Sequence, residues 1–204
     1  MRLSPTYNVI GALSTPVLRG IFRLRVDGLE NVPASGGCVL ASNHLSSFDP
    51  WPLGVPLWPR RQLRVMAKSE LYWFPLSVVI RGAGAFPVRR GQRDTVAIET
   101  GVQLAREGNI VAMFPEGTRR HKGLVKRFEA RPHSGAARIA LEADVPLIPA
   151  AVKGTDRLLR LARLHVAYGA PVDLDDLRGQ EVGAVATEAT TRLMARIAEL
   201  EASL

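Results

Sequence analysis

Apolar residues recur at helical spacing from the start of the chain, at Val9, Ile10, Leu13, Val17, Leu18, Ile21 and Phe22, with Arg19, Arg23 and Arg25 close behind. This predicts an amphipathic helix with a basic flank. Two environments suit its apolar face, the domain's own core and the interfacial layer of a membrane. Alternation over 22–27 and the apolar run 37–42 predict strands joined across a Gly/Pro turn region. Four prolines in residues 50–59 rule out a long helix there, while 63–67 and 85–88 predict further strands. The uncharged run 71–80 sits in the part of the chain that also holds Trp51, Trp58 and Trp73. Such a cluster predicts core, with an acyl pocket or a membrane-contact patch as the alternatives.

Further on, Ala97, Ile98, Val102 and Ala105 share one helical face, with Asp94 as the expected N-cap and Gly108 as the stop. A buried strand over 109–114, a helix over 134–143, and strands over 147–152 and 164–168 follow. The final helix, near 180–200, carries Val182, Val185, Ala189, Leu193, Ile197 and Leu200 on one stripe. Strands interleaved with helices predict an α/β fold, a mixed sheet flanked by helices. The expected organisation is an N-terminal amphipathic, membrane-associating helix over 1–22 and a single domain over 23–204.

Composition narrows the classes. A chain of 204 residues that is 47% hydrophobic and 23% charged excludes disorder and suits one domain. The uncharged stretch over 3–18 is shorter than the roughly 20 apolar residues that cross a bilayer. Cys38 is the only cysteine, so an intrachain disulfide is impossible and a small core residue is expected. The net charge of +8 favours an anionic partner: nucleic acid, lipid headgroups, or a phosphorylated or acidic partner. Much of that charge lies in 119–138, where seven basic residues face only Glu129. A nucleic-acid module predicts aromatic or helix-borne base contacts, but this segment offers only Phe128.

Two short segments could carry chemistry. In S-N-H-L-S-S-F-D-P, directly after a predicted buried strand, Asp49 can turn back to bind one ring nitrogen of His44 and leave the other as a base, with Asn43 in support. In F-P-E-G-T-R, after the strand ending at Phe114, Gly117 and Thr118 offer backbone donors in a tight loop and Arg119 a planar fork for phosphate. An ordinary turn with a Glu116–Arg119 salt bridge is the alternative.

The N-H-x4-D block followed by F-P-E-G-T-R resembles the paired signature of the glycerolipid acyltransferases, in the lysophosphatidate acyltransferase branch. G-A-F-P-V-R-R at 84–90, whose Arg90 matches the family's arginine, and V-P-L-I-P at 145–149 resemble two further blocks. The likeness covers roughly residues 24–155. One departure is Arg131-Pro132-His133-Ser134, where the family carries an aromatic and a lysine before the Gly-Ala-Ala-Arg helix start.

The resemblance implies a glycerol-3-phosphate acyltransferase-like fold and acyl transfer from acyl-CoA or acyl carrier protein to a lysophospholipid hydroxyl. It implies His44 as general base oriented by Asp49, with Arg90, Glu116, Gly117, Thr118 and Arg119 binding substrate. No metal, no cofactor and no covalent intermediate are expected. The expected acceptor is lysophosphatidate, with another lysolipid or an amino-lipid as the alternative. The expected partners are both substrates and an anionic membrane surface rather than nucleic acid, and the expected location is the cytoplasmic face of the cell membrane, monotopic or peripheral.

Overall fold

A computed structural model describes residues 3–74, 76–88, 95–118 and 132–204. Seven strands form one sheet: β1 (Arg25–Asp27), β2 (Cys38–Ser42), β3 (Leu63–Lys68), β4 (Ala85–Val88), β5 (Ile110–Met113), β6 (Leu147–Lys153) and β7 (His165–Tyr168). Their order is β1-β7-β6-β2-β5-β3-β4. All pairings are parallel except β6 with β7. The mixed sheet is the one the sequence predicts, and its direction pattern decides where chemistry can gather. The ends of β2, β5 and β6 and the beginnings of β7 and β1 share one edge.

Side-chain alternation builds a core on each face of the sheet. Val39, Ala41, Val111 and Leu147 point to one side, where they meet α4 (Thr95–Arg106), α5 (Gly135–Ala143) and α6 (Val182–Ser203). Cys38, Leu40, Ile110, Ile148 and Val152 point to the other, against Leu53 of α2 (Pro50–Gly54) and Leu57. There the Tyr168 hydroxyl donates to the Leu53 carbonyl at 2.8 Å, and burial raises the phenol above its ordinary pKa. Cys38 is fully buried, as expected of a small core residue, and its thiol is pushed up to about 11 by burial.

The N-terminal helix α1 (Pro5–Pro16) widens into a π turn over Val17–Ile21. It buries Tyr7, Gly11 and Leu18, while Val9, Leu13 and Ile21 stay exposed. The Trp58 ring lies where a Gly11 side chain would stand, so that glycine lets helix and indole meet. The expected strand over 22–27 shortens to β1, because Phe22 ends the helix and is buried with Leu18 and Leu164.

The run over 71–80 departs from the core expectation. Residues Leu76–Gly82 form a helix, α3, and Trp73, Phe74 and Val78 are exposed. Trp51 and Trp58 make separate contacts, the first edge-on to Phe22 and the second bonded to Asn8 at 3.1 Å, so the three indoles form no common cluster. The expected N-cap Asp94 and most of the basic segment lie outside the described residues. No helix among the described residues is long and apolar enough to cross a membrane.

Candidate active site

The turn after β2 carries Asn43, His44 and Asp49 at the sheet edge where α/β folds present reactive groups. Asp49 is completely buried, and a buried carboxylate is tolerated only when its oxygens are paired. Oδ2 accepts from the amides of Leu45 at 2.7 Å and Ser46 at 2.9 Å and lies 2.7 Å from His44 Nδ1. Oδ1 accepts from the Thr155 hydroxyl at 2.5 Å. A carboxylate surrounded by donors is an acceptor throughout, so Nδ1 carries the imidazole proton and Nε2 the lone pair. The Phe114 ring stacks on the imidazole, with centroids 4.3 Å apart and planes 22° apart, and restrains its tilt.

Asn43 acts on the frame. Its amide donates to the Val152 carbonyl at 2.9 Å and accepts from the Val152 amide at 2.8 Å, continuing the β2–β6 pairing through a side chain. The same amide donates to Glu201 at 2.7 Å, fastening the turn to α6.

The turn after β5 runs on from Phe114, whose ring stacks on His44, through Glu116, Gly117 and Thr118. Glu116 is buried. The Gly117 amide donates to the Phe114 carbonyl at 2.9 Å and the Thr118 amide to the Glu116 carbonyl at 2.7 Å. Both amides are thus engaged inside the turn. The second bond closes a γ-turn around Gly117, whose φ of +66° favours glycine. The His133 ring lies within 2.6 Å of where a Gly117 side chain would begin, and the His133 amide donates to the Pro115 carbonyl at 2.7 Å. Arg90 and Arg119, the expected phosphate ligands, lie outside the described residues.

Sequence reading missed Thr155 and Glu201, which stand 106 and 158 positions from their partners Asp49 and Asn43. No local pattern marks such contacts. The role of Phe114 was equally hidden, since a strand-end aromatic reads as core.

The chain matches the family model described as Acyltransferase over residues 23–153. It is 35% identical over 191 residues to the 1-acyl-sn-glycerol-3-phosphate acyltransferase of Bacillus subtilis (strain 168), covering 89% of each chain. It is 30% identical over 115 residues to the human 1-acyl-sn-glycerol-3-phosphate acyltransferase beta, covering 55% of this chain and 40% of that one. The crystal structure of the 1-acyl-sn-glycerophosphate (LPA) acyltransferase PlsC from Thermotoga maritima superposes with a TM-score of 0.65 at 24% identity, covering 96% of this chain and 78% of that one.

Proposed function

The chain belongs to the acyltransferase family and is an O-acyltransferase, and from that premise we propose that it transfers an acyl group from acyl-CoA or acyl carrier protein to the free hydroxyl of lysophosphatidate, giving phosphatidate. The observation that carries this reading is the imidazole of His44, bound through Nδ1 to a buried carboxylate and presenting Nε2 at the sheet edge. Nε2 takes the hydroxyl proton as the acceptor oxygen bonds to the thioester carbonyl carbon. The tetrahedral adduct then collapses, the carbon–sulfur bond breaks, and the imidazolium returns the proton to the departing thiolate. Asp49 stabilises the imidazolium between the two transfers, as a buried carboxylate does for a charged base. The thioester arrives already activated, so the route needs neither a protein nucleophile nor a metal.

The acceptor side is the Glu116–Thr118 turn, with Arg90 and Arg119 assigned to the acceptor phosphate by their motifs. Because the Gly117 and Thr118 amides are occupied, that turn acts through its shape and side chains. The reaction takes place at the cytoplasmic surface of a membrane. The exposed Val9, Leu13 and Ile21 support this, with Arg19 and Arg23 nearby to meet anionic headgroups. Phe48, Leu159 and Leu161, exposed close to the catalytic turn, add to the apolar contact.

Mass spectrometry of products from a panel of lysolipids and acyl thioesters tests the reading. Phosphatidate formed from lysophosphatidate supports it. Acylation confined to an amino-lipid or another lysolipid would move the acceptor to that class, and no acyl transfer at all would overturn it.

A further inference from the structure

The connection from β6 to β7 leaves the sheet at the edge where β2 ends and runs through a 3-10 turn over Thr155–Arg160. Leu159 there is fully exposed, and Leu161 just beyond it is more than half exposed. Leu161 is also held at φ +50°, and Arg23, whose guanidinium reaches the Leu161 carbonyl at 3.5 Å, at φ +46°. Left-handed backbone is uncommon for bulky residues and persists where the surroundings impose it. Apolar tips held outward in this way are better matched to a second apolar phase than to water.

On one flank of this turn a hollow of about 590 Å³ is lined by Arg23, Arg25, Lys153, Arg157 and Arg163, with Leu204 at the end of α6. Among the described residues, Arg25 has a carboxylate partner in Asp27 at 3.2 Å and Arg157 one in Asp156 at 3.8 Å, while Arg23, Lys153 and Arg163 have none within ion-pair reach. Asp27 is already shared, since His165 Nε2 lies 2.5 Å from it. Cations lining a concave surface focus their field and draw anions into it. On the other flank a second hollow is lined by Phe48 of the catalytic turn together with Leu158, Leu159 and Arg157. Arg157 lines both hollows, so the cations, the leucines and Phe48 share one surface. A soluble anion would use the cations and leave the leucines in water, and an apolar protein groove would leave the cations unpaired. A bilayer containing anionic phospholipid engages both, its phosphates meeting the cations and its acyl layer receiving the tips.

We propose that the basic hollow is a headgroup site for an anionic phospholipid, occupied while Leu159 and Leu161 enter the bilayer beside it. The inference rests on the reading that places the reaction at a membrane. The lipid held here is an anchor rather than the reacting acceptor, and it makes the membrane contact selective for one class of headgroup.

The test is sedimentation of the full chain with phosphatidylcholine vesicles, with and without phosphatidylglycerol. Lys153→Gln/Arg163→Gln removes two exposed cations from the hollow, and Arg60→Gln/Arg106→Gln removes two exposed ones that precede β3 and β5 at the opposite edge of the sheet. Circular dichroism checks that both variants fold. The intact protein should prefer the vesicles with phosphatidylglycerol, and the first variant should lose about tenfold or more on them while its binding to phosphatidylcholine stays within about twofold. The charge-matched control should keep the preference. Leu159→Ser should weaken binding to both kinds of vesicle severalfold without changing their ratio, and high salt should reproduce the Lys153/Arg163 variant in the intact chain. An equal loss in the control would reduce the effect to net charge and overturn the proposal, as would a preference that survives Lys153→Gln/Arg163→Gln. Binding of inorganic phosphate or of acyl carrier protein that depends on Lys153 and Arg163, without any vesicle preference, would overturn it in favour of a soluble anion or an acidic protein. Selective vesicle binding in a protein that acylates no lysolipid would leave the headgroup site standing and remove the acyl-transfer reading.

Discussion

The two turns that meet at His44 are held in opposite ways. The turn over 43–49 is closed on itself by the Asp49 carboxylate and then fastened from outside, by Val152, Thr155 and Glu201, each more than a hundred positions along the chain. The turn over 114–118 largely holds itself, backbone to backbone, around one glycine at positive φ. A base must keep one ring nitrogen aimed at a proton, so its supports come from the rigid sheet and the C-terminal helix. A substrate-facing turn needs a fixed contour, which its own amides supply. Damage to the first should appear as lost rate, and damage to the second as a changed fit.

Breaking the first turn at its centre gives the largest effect. His44→Ala should lower kcat by about a thousandfold or more, within the range that general acid–base catalysis supplies. The folded protein, checked by circular dichroism, should persist. Asp49→Asn, nearly isosteric, should cost about a hundredfold, because an amide stabilises the imidazolium less. Unchanged turnover in folded His44→Ala would remove this histidine from the chemistry.

The next effect isolates a distant support. Thr155→Val keeps the shape but removes the hydroxyl from Asp49 Oδ1, leaving a buried carboxylate oxygen without that partner. A hydrogen bond to a charged group contributes about 1.5–3 kcal/mol, so kcat should fall on the order of tenfold with KM for both substrates nearly constant. Thr155→Ser should restore the rate. A fall in Tm without any change in kcat would make Thr155 a purely structural residue.

Legibility in the sequence follows the same division. The strands from β2 to β7 were readable because short apolar runs bounded by turn residues mark them locally. His44 and Asp49 were readable because their bond spans only five positions. Thr155 and Glu201 were not, since their contacts depend on how β6 and α6 come back to β2. Trp73 and Phe74 misled for the reverse reason, because apolar composition cannot tell a core face from one turned outward. The bonds that occupy the Gly117 and Thr118 amides were equally invisible, since E-G-T is compatible with open or closed amides.

Gly117→Ala probes the second turn. An L side chain there costs about 1–2 kcal/mol for the left-handed backbone and also meets the His133 ring. KM for the acceptor should rise severalfold with a smaller change in kcat. Adding His133→Ala should return only part of the loss, because it clears the ring and leaves the backbone cost. Full recovery would mean that the collision, rather than φ, dominates, and a double-mutant cycle separates the two.

The smallest effect lies far from both turns and serves as their control. Arg192 on α6 grips Asp176 with two bonds of 2.7 Å, and this fork holds the Asp176 carboxyl below its ordinary value of 3.8. A carboxyl depressed in the folded state adds stability that is fully present above its unfolded pKa and is lost as pH falls through the lower folded value. Asp176→Asn should therefore lower Tm at pH 6 by only about 1–2 °C, as befits a solvent-exposed pair. The two melting curves should converge as the pH falls through the lowered folded-state value, where the wild-type carboxylate is itself protonated. Activity at pH 7 should not change, since neither residue touches the two turns. A difference in Tm that persisted undiminished at low pH would mean that Asp176 contributes by packing rather than by charge. A loss of turnover in this variant would show that α6, through Glu201 and Asn43, transmits distant strain to His44, which would undo the separation between the self-held turn and the one fastened from afar.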